Sequence, residues 1–577
     1  MRSSWTLPSG ATGTLARLGF LLLASWLVWA VIRVGIDFDD GYGNLANAGH
    51  FLGWRAEHFF NSAPLMAFLL IPAQLLSHWL GLHPLDLRPA HALMALLHIA
   101  YLTGCWRLLA EIRGRDLASL LAFAAAVATP VFFSYAPFIN LDIFPGVLVL
   151  WMIVLAHRQL RSPSPRKFWA LVLLGAGLAS LKQAYALVWI AIVLSLPVLC
   201  WMERAPRAQW LAALRMLGAA ILSGLITWLF YAAVLVNPFA TDPFWLRPWL
   251  QIQAINHIYD VEGGGWQVFY PWIYLRNVSA YGILAMLLVV PGVVLAFLRG
   301  QSVERLVALV WLFLLLALHL TPYKEVRYLA FLAPLTAVLI APVLYAIWQQ
   351  RQIYRWLALI VLSAGLLMST AEALRLANPY YQTAMTDFLE PLPVNQPLPG
   401  KLIMGGPLSF VSPESNAYFG DRYHRITHIM PEAIMSLYDY PAERLLRIRQ
   451  TTDIHADMIE PGDIWLLTKD LLVRQKPFVR GNHEGLDPSF FQLYAIAEWI
   501  TLVRQDGSYR ISGADPRAAF VLVSEIPGGA PTLASGKVDE ATMVRLYGSR
   551  DFPPNTRVLG FRVTRRCDLT ACWRLGL

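Results

Sequence analysis

The chain has 577 residues, of which 57% are hydrophobic and 14% charged, with a mean hydropathy of +0.50. A soluble globular protein carries roughly a quarter charged residues, so most of this chain is excluded from water. Its net charge of +9 and pI near 9.3 do not indicate nucleic acid, because the basic residues before Ala373 fall in short loops between apolar runs, where they orient a membrane protein.

The run from Leu18 to Ile32 follows Arg17 and is closed by Arg33 with no small-residue cleavage site after it, so it is read as a retained first span and not a signal peptide. Further apolar stretches run at 62–80, 88–106, 117–136, 142–157, 168–181, 184–202, 212–236, 276–298, 306–320, 327–348 and 356–373. Each is near the length of about 20 residues that crosses a bilayer. Stretch 62–80 contains Pro64, Pro72, Gln74 and His78 and is placed at the interface, leaving about 11 spans plus interfacial helices. The loops Arg107–Arg115, His157–Lys167, Arg204–Arg215, Arg299–Arg305 and Arg351–Arg355 then become cytoplasmic. The unusual polar residues of the first half collect on the other side. Beyond Ala373 the polarity is that of a water-soluble fold, with strand-like runs at 463–467, 520–523 and 557–563. The expected organisation is a membrane all-α domain over residues 1–373 and a soluble mixed α/β domain over 374–577, the latter outside the cytoplasm. Cys567 and Cys572 in that tail are close enough for a local disulfide in an oxidising compartment.

Four constellations carry candidate chemistry. Asp37, Asp39 and Asp40 place three carboxylates in four residues just beyond the first span; mutual repulsion raises the proton affinity of at least one, which suits a general base or a cation site. A solvated loop cap has the same composition. Asp142 lies at the start of an apolar span, where it suits either a helix cap or a site on the same face as the first cluster. Lys324 and Arg327, with Tyr323 and Glu325 between and beside them, offer two positive charges to a phosphate or diphosphate, with Glu325 able to hold one of them. An interfacial anchor would also place Lys, Arg and Tyr here, although positive charge on the outer side opposes the orientation bias. The loop 237–274 is rich in aromatic residues, including His257 and Trp266, around the hinge Gly263–Gly265, and fits a sugar-stacking lid as well as an aromatic belt. His91 and His98 share a helical face and are read as packing residues. No phosphate-binding loop, dinucleotide fingerprint, paired-cysteine zinc pattern or nucleophile elbow is present in the sequence.

In order and spacing these motifs resemble the GT-C superfamily of integral membrane glycosyltransferases, in particular the branch of protein O-mannosyltransferases and lipid A aminoarabinose transferases. The matching residues are the acidic pair Asp39-Asp40 with Tyr42 and Ala46, the Pro64-Leu65 interfacial helix, the stretch Gly114-Arg115-Asp116 through Pro130 to Asp142, and Gly177 to Lys182. Residues 323–328 also resemble the His-Lys-Glu-x-Arg-Phe motif of mannosyltransferases that build GPI anchors and dolichol oligosaccharides, with Tyr323 in place of His and Tyr328 in place of Phe.

The resemblance implies transfer of a sugar from a polyprenyl-phosphate donor to a lipid, glycan or protein acceptor at the outer face of a bacterial cytoplasmic membrane. Asp39, Asp40 and Asp142 are the implied catalytic carboxylates, with Asp39 as base. Lys324, Arg327, Glu325 and Tyr323 are implied to hold the donor phosphate, and Tyr42, His257, Trp266 and Lys182 to contact substrate. No cofactor is firmly expected; a divalent metal on Asp39, Asp40 and Asp142 stays open. A lipid-linked-sugar transporter would share the spans and buried charges but calls for internal repeats, and none is evident. A non-catalytic subunit of an envelope assembly complex is the other alternative.

Overall fold

The computed structural model describes residues 9–33, 37, 39–54, 64–83, 86–136, 138–234, 243–249, 281–320 and 326–377, together with eight strands in the C-terminal part. The chain divides into two compact units. One comprises residues 1–32, 58–74 and 88–377; the other comprises 33–57, 75–87 and 378–577.

The first unit is helical. Its elements are α1 (Ser9–Arg33), α3 (Pro64–Trp79), α4 (Arg88–Arg113), α5 (Leu117–Val127), α6 (Pro130–Tyr135), α7 (Pro145–Arg161), α8 (Pro165–Leu181), α9 (Ala186–Met202), α10 (Arg207–Val234), α11 (Ile283–Arg299), α12 (Ser302–Leu320), α13 (Ala333–Trp348) and α14 (Gln352–Ala377). Helix α2 (Asp39–Phe51) belongs to the second unit, as does the end of α3. Every apolar stretch singled out in the sequence contains a helix within its described residues. Among the described residues seven helices are long and apolar enough to cross a membrane, by length and composition, and α3, α5 and α11 are shorter apolar helices. The chain is an integral membrane protein.

One expected span is broken. Stretch 117–136 is two helices because Pro130 has no backbone N–H to continue the ladder and forces the preceding residue out of the helical region. Thr129 accordingly is extended (φ −114°, ψ 153°) and its hydroxyl accepts the Phe132 N–H, capping α6. Proline also opens α7 and α8, where the missing N–H is harmless, and Ser164 caps α8. Asp116 caps α5 by accepting the Ser119 N–H at 2.7 Å.

Helix α13 lies at the centre of the unit, buried along nearly all its length and packed against α5, α11, α12 and α14. Gly292 lets α11 approach it: a Cβ there would collide with the Leu339 carbonyl. The charged residues at the far ends of α4, α7, α9 and α12 are laced together. Arg161 pairs with Glu203, donates to Gln209 Oε1 at 3.4 Å and reaches Ser302 Oγ at 2.6 Å; Arg305 reaches Glu203 at 3.4 Å; Arg113 pairs with Glu304 and Arg158 with Glu111. Four of the loops grouped on one side by their basic charge therefore do meet at one end of the helices.

In the second unit, β1 (Leu402–Gly405) pairs in parallel with β2 (Leu445–Ile448) and β3 (Ile464–Thr468), and β3 pairs antiparallel with β8 (Val558–Arg562), giving the order β2-β1-β3-β8. Strands β4 (Phe491–Ala495) and β7 (Phe520–Ser524) form an antiparallel pair, and β5 (Leu502–Gln505) and β6 (Ser508–Ile511) a hairpin. All three strand-like runs of the sequence fall on strands, β3, β7 and β8.

Candidate active site

Three chain segments converge at the end of α7 opposite the laced loops. The first is the irregular stretch from Tyr135 to Phe144. Asn140 organises it: its amide nitrogen donates to the carbonyls of Tyr135 (2.6 Å) and Phe138 (2.9 Å), and its Oδ1 accepts the Asp142 N–H (3.1 Å). This Asx turn fixes the backbone of Asp142 without a helix. Asp142 is not the helix cap that its position suggests, since α7 begins at Pro145 and its N-cap Phe144 makes no side-chain cap. The Asp142 carboxylate is free to turn away from the helix.

The second segment ends α8. Lys182 leaves the helix in an extended conformation (φ −155°, ψ 127°), which swings its side chain across to Asp142. The Nζ–Oδ1 distance is 2.8 Å. The third segment is the tight helix Val326–Leu332 ahead of α13, from which Arg327 Nε stands 3.6 Å from Asp142 Oδ2. The Tyr328 ring faces Lys182 with the ammonium 4.2 Å from its centroid, a cation–π contact. Further contacts hold the segments in register. The Tyr185 hydroxyl donates to the Leu141 carbonyl, its ring meets Phe331 edge-on at 5.2 Å, and Gly146 lets α7 approach that segment, since a Cβ there would stand 2.5 Å from the Phe331 carbonyl oxygen.

Asp142 is 5% exposed, Arg327 11% and Lys182 26%. One carboxylate thus lies between two cations in a largely dry place. Next to it lies a mostly apolar cavity of about 300 Å³, lined among others by Tyr101, Phe132, Ile143, Trp311, Leu329 and Thr336. Tyr101 is almost fully buried, and among the described residues its hydroxyl has no hydrogen-bond partner. The arrangement suits an amphipathic anion: a phosphate on the cations and a hydrocarbon chain in the cavity.

No protein-family model matches the chain, nor does any curated protein sequence. Among solved structures it is similar to ArnT from Cupriavidus metallidurans in the apo state, at 13% identity and TM-score 0.44 over 81% of this chain and 95% of that one. It is also similar to the archaeal oligosaccharyltransferase AglB from Archaeoglobus fulgidus in complex with an inhibitory peptide and a dolichol-phosphate, at 10% identity and TM-score 0.43 over 80% of this chain and 70% of that one.

Of the residues singled out in the sequence, Asp142, Lys182 and Arg327 come together. The resemblance assigns Lys182 to substrate contact; the structure pairs it with Asp142. Tyr323, Lys324, Glu325, His257 and Trp266 lie outside the described residues. Asp39 and Asp40 open α2, and their side chains are likewise outside the described set. Asp37 is fully buried, and its backbone N–H donates to the Tyr42 hydroxyl at 3.3 Å. Burial, and then the Asp37 charge, hold the Tyr42 phenol above its ordinary range, so it stays protonated near neutrality. His91 and His98 are both buried, and the His98 Nδ1 donates to the Met94 carbonyl at 2.7 Å, in keeping with packing. Among the described residues no three His, Cys, Asp or Glu side chains gather as a metal site. Asn140 and Tyr185 escaped the sequence reading; the Asn-x-Asp spacing of Asn140 and Asp142 is the signal that could have found the first.

Proposed function

We propose that the chain is a membrane glycosyltransferase that moves a sugar from a polyprenyl-phosphate donor to a cell-envelope acceptor at the outer face of the cytoplasmic membrane. The observation that carries this reading is the convergence of Lys182 and Arg327 on Asp142 beside an apolar cavity. Phosphate attached to a long hydrocarbon satisfies both halves at once. In the reaction the acceptor hydroxyl gives its proton to a carboxylate, Asp39 being the first choice and Asp40 the second. The acceptor oxygen bonds to the anomeric carbon as the bond from that carbon to the phosphate oxygen breaks, and the polyprenyl phosphate leaves with the electron pair. Lys182 and Arg327, with Lys324, stabilise the charge that develops on the leaving phosphate, while Asp142 holds the two described cations apart and aimed. Tyr323 and Glu325 flank Lys324, and Tyr42, His257 and Trp266 are assigned to substrate contact. No step requires a nucleotide.

The test is transfer by the purified full chain in lipid, with polyprenyl-phosphate sugars as donors, comparing native protein with Asp39→Asn and Arg327→Ala. Loss of transfer in both variants, with donor binding retained by Asp39→Asn, supports the reading. Donor bound and moved across the bilayer by native protein without transfer would replace it with a transporter.

A further inference from the structure

The turn joining α9 to α10 has no part in sugar transfer and carries an exposed cluster of its own. Trp201, Arg204, Arg207 and Trp210 recur at every third residue from the end of α9 into the first turns of α10. All four are exposed, Trp201 at 74%. Glu203, the carboxylate in this turn, is occupied by Arg161, by Arg305 at 3.4 Å and by Ser302 Oγ at 3.1 Å. Among the described residues neither Arg204 nor Arg207 has a carboxylate partner.

The backbone makes Arg204 more unusual. Among the described residues it is the one non-glycine with a positive φ, +48°. It ends α9 in the left-handed position that follows a helix, with the Ala205 N–H returning to the Cys200 carbonyl at 2.9 Å. Glycine fills that position without strain, and an arginine does not. An arginine there does put a cation at the negative end of the helix dipole, at the membrane boundary. Exposed tryptophans at such a boundary lie at the level of the lipid headgroups, and exposed arginines near a membrane surface attract anionic lipid.

We propose that the α9–α10 turn is a binding site for an anionic phospholipid, with Arg204 and Arg207 taking the headgroup phosphate and Trp201 and Trp210 packing against the glycerol and upper acyl region. Free phosphate would satisfy the arginines and leave Trp201 uncovered, which is why the lipid is the occupant. The inference is independent of the sugar-transfer reading, because its readout is lipid binding.

The experiment uses the purified full chain in neutral detergent, titrated with phosphatidylglycerol, phosphatidylcholine or inorganic phosphate, and follows bound lipid by native mass spectrometry and unfolding temperature. Phosphatidylglycerol is expected to remain bound and to raise the unfolding temperature by several degrees; the other two are expected to do neither. The double variant Arg204→Gly with Arg207→Gln should bind phosphatidylglycerol at least tenfold more weakly. Arg166→Gln, which removes an exposed arginine from the first turn of α8, should bind it as the native chain does. Arg204→Gly alone should unfold at a higher temperature without lipid, its backbone strain relieved, yet gain less from phosphatidylglycerol. The proposal is overturned if the double variant binds like the native chain, if Arg166→Gln loses as much, or if phosphate alone reproduces the stabilisation. It is also overturned if Arg204→Gly lowers the lipid-free unfolding temperature and keeps the full lipid increment, because Arg204 would then be structural.

Discussion

The two ends of α7 carry the same charge motif in different surroundings. At one end Glu203 lies between Arg161 and Arg305; at the other, about 25 Å along the helix, Asp142 lies between Lys182 and Arg327. Arg161 is 38% exposed and shares its load with Ser302 and Gln209, whereas Arg327 is 11% exposed. Glu203 is itself 12% exposed and Arg305 26%, so it is Arg161 that leaves that end open to screening. In the proposed function the Asp142 end receives an anion, whereas the Glu203 end laces loops together, although the residue types are nearly the same.

Several substitutions can break or sharpen that contrast. The largest effect is expected from Asp142→Asn, which leaves Lys182 and Arg327 facing each other without a counter-charge: a loss of about 3–5 kcal/mol of stability, as for removing one partner of a buried pair, and at least a hundredfold loss of transfer. Glu203→Gln at the other end should cost less, because Arg161 is 38% exposed there and the glutamine oxygen can still accept from Ser302 and the arginines. Thermal unfolding in detergent, read beside a transfer assay, compares them directly; equal losses at both ends would erase the distinction.

Gly146→Ala comes next. Its new methyl group must push against the Phe331 carbonyl and shift Val326–Leu332 relative to Asp142, at about 1–3 kcal/mol for overpacking. Transfer should fall further than stability does, and a variant with native transfer would show that the register of Arg327 is unimportant. Tyr185→Phe removes one hydrogen bond to the Leu141 carbonyl, worth about 1 kcal/mol; kcat is expected to drop with KM little changed, since the tyrosine acts through the position of Asp142. The smallest effect is that of salt. Raising it to about 0.5 M should weaken the exposed pairs of the laced end and leave the Asp142 trio nearly untouched, seen as a Glu203→Gln penalty that vanishes while the Asp142→Asn penalty persists.

Much of this was legible in the sequence, for identifiable reasons. Apolar runs long enough to span a membrane are a strong signal, and each contains a helix, although the run 117–136 holds two. Positive charge in loops is additive along the chain, which is why the loops of Arg113, Arg158, Arg204 and Arg305 group together from sequence. The break at Pro130 was missed because hydropathy ignores the missing N–H, although Thr129-Pro130 spells a cap followed by a helix start. Asp142 was recognised as unusual, but its partners lie 40 and 185 residues away in sequence, and no local pattern links a carboxylate to a lysine leaving one helix and an arginine entering another. Gly146 is legible only as a close approach, which requires the opposing carbonyl to be seen. Lys182 was noted for its place in a motif, and the extended backbone that ends α8 there is what converts it into a partner of Asp142.

The central claim is that Asp142 holds Lys182 and Arg327 as a receptor for lipid-linked phosphate. Its most direct test is the affinity of the purified chain for a polyprenyl phosphate without sugar, measured for the native protein, Arg327→Ala, Arg327→Lys and Arg161→Ala. The account predicts at least tenfold weaker binding for Arg327→Ala, a smaller loss for Arg327→Lys, and native affinity for Arg161→Ala. Equal affinity in Arg327→Ala and the native protein, with the variant still folded, would contradict it.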